Sequence, residues 1–334
     1  MPRSRASAPP QRPATPAHDD GDILVGVSTC LLGEHVRYDG GHKHDRYVTG
    51  VLGRYFRLVP VCPEVEAGMG VPREPVRLVR DGGRLRMLGV TSGCDHTRRM
   101  QLYARRRVAE LDAMGLSGYV LKQGSPSCGM KRVRAYTTAG APSAPSSGLF
   151  AAALLDAMPT LPLEEEGRLE DPGLRENFVE RVFAHRRLQR ALAPGWKIAD
   201  LVELHARETL LLASHGSAAE KELGRLVAGA RNMNRGQARD LYKRSFMRAL
   251  ARPATRARHV KVLQHVLAYF GDRIDAPARR AVASVIEDYR RARVPLLVPL
   301  AIVRHYADVC GIDSLARQTY LDPHPKELML RNHV

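Results

Sequence analysis

Three short apolar, β-branched stretches punctuate the first half of the chain: Ile23 to Ser28, Arg57 to Cys62 and Gly118 to Leu121. Runs of this length bounded by turn residues predict buried strands. Between the last two, Asp95 to Met114 sets Leu102, Val108, Leu111 and Met114 along one side and Arg98, Arg99, Arg105 and Arg106 elsewhere, the pattern of an amphipathic helix. Arg77 to Leu88, folded around Asp81-Gly82-Gly83, predicts a hairpin. Strand, helix, strand alternation favours an open, mostly parallel, Rossmann-like α/β sheet. The second half changes period. Val260, Leu263, Leu267 and Phe270 recur at helical spacing, as do Val282, Val285, Ile286 and Tyr289 behind a helix start at Asp275-Ala276-Pro277. An all-α domain is predicted there.

A Pro, Ser and Ala-rich stretch from Ala139 to Ser147 and the acidic run Glu164-Glu165-Glu166-Gly167 put the boundary between the halves near residues 165 to 175. The predicted division is a disordered tail over residues 1–21, an α/β domain over 22–165 and a helical domain over 166–334. The first 22 residues hold five prolines and no apolar block, which excludes a signal sequence. The run Val294 to Val303, broken by two prolines, is about half the length of a bilayer-spanning helix. A cytoplasmic protein is expected.

Charge sharpens the picture of the second half. The 52 Lys and Arg exceed the 35 Asp and Glu by 17, and residues 181–334 alone carry 28 basic against 14 acidic side chains. A field of that sign attracts phosphate-rich partners, although arginine-rich helix faces are also ordinary solvated surface.

Chemistry concentrates in the first half. Of five cysteines, Cys30, Cys62 and Cys128 each fall just after a predicted strand. Parallel strands end on one side of a sheet, and ligands of open α/β folds bind at that edge, so three distant thiols converge there. Three thiolates leave one position of a metal or cluster open, as catalytic centres do. Zinc is the alternative, with His35, His42 or His44 as fourth ligand. Glu64 lies two residues beyond Cys62, where a low dielectric would suit it to proton transfer; the alternative is a helix cap. Ser125 and Ser127 precede Cys128 and can donate hydrogen bonds, or simply make a turn. Arg37, Tyr38 and Asp39 either shape a pocket or fix their own loop. Cys94 and Cys310 read as small buried hydrophobes, with Cys94 the one extra thiol able to close the site as a fourth ligand.

The segments Cys30-Leu31-Leu32-Gly33, Cys62-Pro63-Glu64 and Ser125-Pro126-Ser127-Cys128-Gly129 resemble those of the thiouracil desulfidase family. The rest of the chain is similar to the YbgA-like helical domain, notably over Leu161 to Leu169, Arg175 to Phe178, Val262 to His265 and Gln318 to Leu321. The resemblance implies a 4Fe-4S cluster held by Cys30, Cys62 and Cys128, with Glu64 and a serine, Ser125 or Ser127, handling substrate and protons. It also implies desulfidation, the conversion of a thiocarbonyl on a pyrimidine to a carbonyl. A helical domain of +14 places the target base in transfer RNA, with 4-thiouridine ahead of 2-thiouridine. The alternatives are a free thiopyrimidine desulfidase with a dimerisation domain, and a non-catalytic iron–sulfur sensor that binds nucleic acid.

Overall fold

The computed structural model describes residues 23–333, so the tail expected over residues 1–21 lies outside the described residues. The first half runs β1 (Leu24–Ser28), α1 (Gly53–Tyr55), β2 (Arg57–Val61), α2 (Pro63–Glu66), the hairpin β3 (Val76–Asp81) and β4 (Arg84–Gly89), and α3 (Thr97–Ala113). It continues through β5 (Gly118–Leu121), β6 (Val133–Thr137), β7 (Pro142–Ser146), α4 (Leu149–Ala157) and β8 (Leu163–Glu165). Strands β2, β1, β5 and β8 form an all-parallel sheet in that order. Ser28 stands opposite Val61 and Leu121 opposite Glu165, so the carboxyl ends share one edge. An inner strand is buried on both faces, which explains why β1 and β5 read as unbroken apolar runs. Gly26 is required there: a Cβ would stand 2.2 Å from the ring of Tyr119 on the neighbouring strand.

The hairpin is present, but it belongs to a second sheet in the order β4, β3, β6, β7, with β3 and β6 parallel. The stretch from Ala139 to Ser147 supplies its edge strand, β7, where Pro142 and Pro145 cost no interior ladder bond. The helix expected over Asp95 to Met114 is α3, with a different inner face. Met100, Ala104, Val108 and Leu111 are buried at spacings of four, four and three, whereas Leu102 is 57% exposed and Met114 44% exposed. A leucine two residues beyond Met100 faces the opposite side of the helix.

The second half is helical throughout: α5 (Pro172–Ala191), α6 (Ile198–His215), α7 (Ser217–Gly229), α8 (Arg235–Leu250), α9 (Arg256–Tyr269), α10 (Ala276–Arg290), α11 (Leu297–Val309) and α12 (Asp313–Ala316). Asp171, Asn234, Thr255 and Asp275 cap α5, α8, α9 and α10 by accepting first-turn amides. Helix α5 serves two cores. Phe178, Val179 and Val182 pack with Val25, Val27 and Val48, while Ala184 and Leu188 pack with the helical half. Leu328 and Leu330 return to the first of these cores, so both ends of the helical half touch the sheet. No helix among the described residues is long and apolar enough to cross a membrane.

Buried histidines set an acid limit on this half, among them His324, which burial pushes down to about 4. Burial pushes His185 and His259 down to about 3, from an ordinary value of 6.5. Arg331, Glu180, His215 and His333 surround His259, and its Nδ1 lies 3.0 Å from the Tyr320 hydroxyl. Both rings are neutral when folded and take a proton on unfolding at any pH below 6.5. Their stabilisation is complete above that value and is lost as pH falls towards 3, by about 2 kcal/mol per histidine at pH 5. Glu180, whose carboxylate His215 and Arg331 hold well below its ordinary value of 4.5, adds a further loss that sets in as pH falls past that value. The melting temperature is therefore expected to drop between pH 7 and pH 5, and His259→Gln, which keeps an acceptor for Tyr320, is expected to flatten that slope. A melting temperature unchanged over this range would contradict it.

Candidate functional site

The carboxyl edge of the parallel sheet carries a cavity of about 220 Å³ lined by Cys30, Cys62 and Cys128 together with Glu64. Each thiol arrives on a different turn. Cys30 sits in the 3₁₀ turn that follows β1, closed by Gly33 at φ +91°. Cys62 follows β2 as N-cap of α2, and its N–H donates to Glu66 Oε1 at 2.8 Å. Cys128 lies in the loop after β5, 6% exposed, with its N–H donating to Ser125 Oγ at 3.1 Å.

The Cys128 loop is held from three sides. The first amides of α4 donate to it, Leu149 to the Pro126 carbonyl and Phe150 to that of Ser127, at 3.1 and 3.0 Å. Gly148 permits this approach, since a Cβ there would stand 2.5 Å from the Ser127 carbonyl. Glu165, buried at the end of β8, accepts the Met130 N–H at 2.8 Å. Glu166 accepts the Gln123 N–H at 2.7 Å and pairs with Lys122. The acidic run read as a domain boundary is thus scaffolding for the third thiol. A strand as short as β8, made of acidic residues, gives no periodic signal in the sequence.

Glu64 does not stand alone in an apolar wall, which corrects the expectation of a carboxyl isolated by low dielectric. Arg73 grips its Oε2 through Nε and Nη2 at 2.9 and 2.5 Å, and Ser127 Oγ donates to Oε1 at 2.8 Å. The pair is nearly closed to solvent, with side chains 7% and 13% exposed. Arg73 Nη1 also donates to the Val36 carbonyl, which ties the Cys30 side of the cavity to the Cys62 side. The sequence reading missed Arg73, whose only signal is its place after Pro72 beyond the Cys62-Pro63-Glu64 turn. The two serines divide their work: Ser127 is fully buried on Glu64, whereas Ser125 Oγ accepts the amides of Ser127 and Cys128 and lines the cavity.

The donor set fits a thiophilic, anionic group. Burial pushes Cys30 up to about 11, with the neighbouring Cys62 thiol adding to the shift, and also raises Cys62 and Cys128. These thiols stay protonated at neutral pH until a metal takes them as thiolates. Lys122 and Arg37 stand near Cys30, and Arg73 near Cys62, so cations flank the thiols. His35, His42 and His44 form a chain of edge-on rings on an exposed loop and do not line the cavity. Three thiols lining one cavity are a donor set that would suit an iron–sulfur cluster. Cys94 is exposed outside the cavity and Cys310 lies in the helical half, so neither supplies a fourth ligand.

A family model described as 2-thiouracil desulfurase matches residues 25–166, and one described as a protein of unknown function, DUF1722, matches residues 209–325. The chain is 31% identical over 158 residues to the uncharacterized protein YbgA of Escherichia coli (strain K12), covering 47% of this chain and 94% of that protein. It is 31% identical over 111 residues to the uncharacterized protein YbbK of Bacillus subtilis (strain 168), covering 32% of this chain and 73% of that protein. A solved structure of the [4Fe-4S]-dependent thiouracil desulfidase TudS is 32% identical, covers 45% of this chain and 94% of its own, and superposes with a TM-score of 0.36.

Proposed function

We propose, for a chain that belongs to the 2-thiouracil desulfurase family over residues 25–166 and continues into a DUF1722 domain over residues 209–325, that it replaces the sulfur of a thiouracil ring by oxygen. The observation that carries this reading is the convergence of Cys30, Cys62, Cys128 and Glu64 on one cavity. The three cysteines would hold a 4Fe-4S cluster. When bound, it supplies an iron free of protein ligands, a soft Lewis acid for the thione sulfur. Glu64 takes the proton of the water that adds at the ring carbon. Arg73 and Ser127 each hold one of its oxygens, so the carboxylate meets the water in a fixed orientation. The Ser125 hydroxyl hydrogen remains available to the ring, since its oxygen only accepts from the loop amides. The balance is hydrolytic: water enters, the C–S bond breaks, hydrogen sulfide leaves and no external oxidant or reductant is consumed.

The family description points to the free base. A second reading, in which the ring is a thiouridine in transfer RNA, is favoured by a groove of about 640 Å³ between α7, α8 and α9 that collects Arg248, Arg252, Arg258 and Lys261 against Glu222. Neutralising phosphates makes affinity fall steeply with salt. Under the second reading, KM for 4-thiouridine in transfer RNA rises severalfold or more between 50 and 200 mM salt, while KM for free 2-thiouracil stays flat. Turnover of the free base with no RNA binding at low salt leaves the first reading alone.

A further inference from the structure

The loop from Gly33 to Gly41 carries an aromatic ring that the fold does not bury. Tyr38 is 40% exposed and lines the same cavity as the three thiols. Leaving an aromatic exposed costs apolar surface, and this one is left exposed at the cavity. The loop is nevertheless rigidly tied. Arg37 and Gly40 bond across it, the Gly41 N–H donates to Asp39 Oδ1 at 3.0 Å, and the Tyr38 carbonyl accepts the Arg73 N–H at 2.9 Å. Arg73 also grips Glu64 through its guanidinium, so the backbone at Tyr38 and the carboxylate of Glu64 are both tied to one residue. The Arg37 guanidinium lies 5.3 Å from the Tyr38 ring centroid, which orients the ring.

We infer that Tyr38 is the residue on which the substrate ring stacks, an inference that rests on the desulfidase reading above. It explains why a loop fixed by so many backbone bonds ends in a half-exposed aromatic. Tyr38 binds and orients the pyrimidine, and Arg37 acts as the positioning residue behind it. Stacking of a base on an aromatic side chain tolerates either thione position, because both isomers offer the same π-face.

The test is steady-state desulfidation of free 2-thiouracil by the full chain, purified without oxygen, with equilibrium binding of uracil followed by calorimetry. Tyr38→Ala is expected to raise KM about tenfold and to weaken uracil binding to a similar degree, with kcat and iron content unchanged. Tyr38→Phe is expected to restore both constants. An unchanged KM in Tyr38→Ala, or a fall in iron content and kcat that Tyr38→Phe does not rescue, overturns the assignment in favour of a loop-holding role. A wild-type chain that turns over no thiolated base overturns the desulfidase reading itself, which separates the two failures.

Discussion

A Cys128→Ser protein is expected to be folded, iron-free after anaerobic purification, and lowered in desulfidation by about 10³-fold or more, the equivalent of several kcal/mol of lost Lewis-acid stabilisation. The fold should survive because the loop does not depend on the thiol. Ser125, the first turn of α4 and Glu165 hold its backbone, and serine occupies nearly the same volume. The loss should be chemical, since a serine oxygen is a hard donor where iron and sulfide need a soft one. Cys30→Ser and Cys62→Ser should behave alike, because each thiol lines the cavity and each arrives on a separate turn. Cys94→Ser is the matched control: the residue is exposed and outside the cavity, so iron and activity should be retained. Iron analysis, circular dichroism and turnover together check this. Iron retained at the wild-type level in Cys128→Ser would remove the residue from the ligand set.

Glu64→Gln should separate chemistry from cluster retention, with kcat lowered by roughly 10²- to 10⁴-fold as expected for loss of a general base. Glutamine can keep its one oxygen facing Arg73 and turn its amide nitrogen to donate to Ser127 Oγ, which then accepts, so the cavity keeps its shape. It no longer balances the Arg73 charge. Breaking a buried ion pair by removing one partner costs about 3–5 kcal/mol. A lower melting temperature should therefore accompany the fall in kcat, while iron content stays at the wild-type level. If kcat is retained, Glu64 serves only to anchor Arg73 and the loop that Arg73 holds.

What could be read from the sequence follows from where side chains are forced to repeat. Strands β1 and β5 are inner strands, so burial on both faces made them apolar runs, and Cys30 and Cys128 could be placed after them, with Cys62 after the shorter apolar run of β2. The capped helices α9 and α10 were legible from period and from Asp275. Features set by single long-range contacts were not. Arg73 acts through a guanidinium that spans from Glu64 to the Val36 carbonyl, and no spacing rule announces such a partner. Glu165 and Glu166 look like solvent-facing acids because nothing local shows that loop amides and Lys122 will meet them. Strand β7 was hidden by its prolines, which an edge strand tolerates. The division of labour between Ser125 and Ser127, two residues apart, appears only once the turn is drawn.

Helix α5 gives the arrangement of the halves a physical basis. One helix contributes Phe178 and Val182 to the core beneath the parallel sheet and Leu188 to the helical core, so the α/β half and the helical half share one element.

The most direct measurement of the central claim is iron and acid-labile sulfide per chain in the full protein purified without oxygen, followed by sulfide release on addition of 2-thiouracil. The account predicts about four iron atoms per chain, with sulfide appearing in step with uracil. Zinc in place of iron, or a full complement of iron with no sulfide released from either the free base or thiolated transfer RNA, would contradict it.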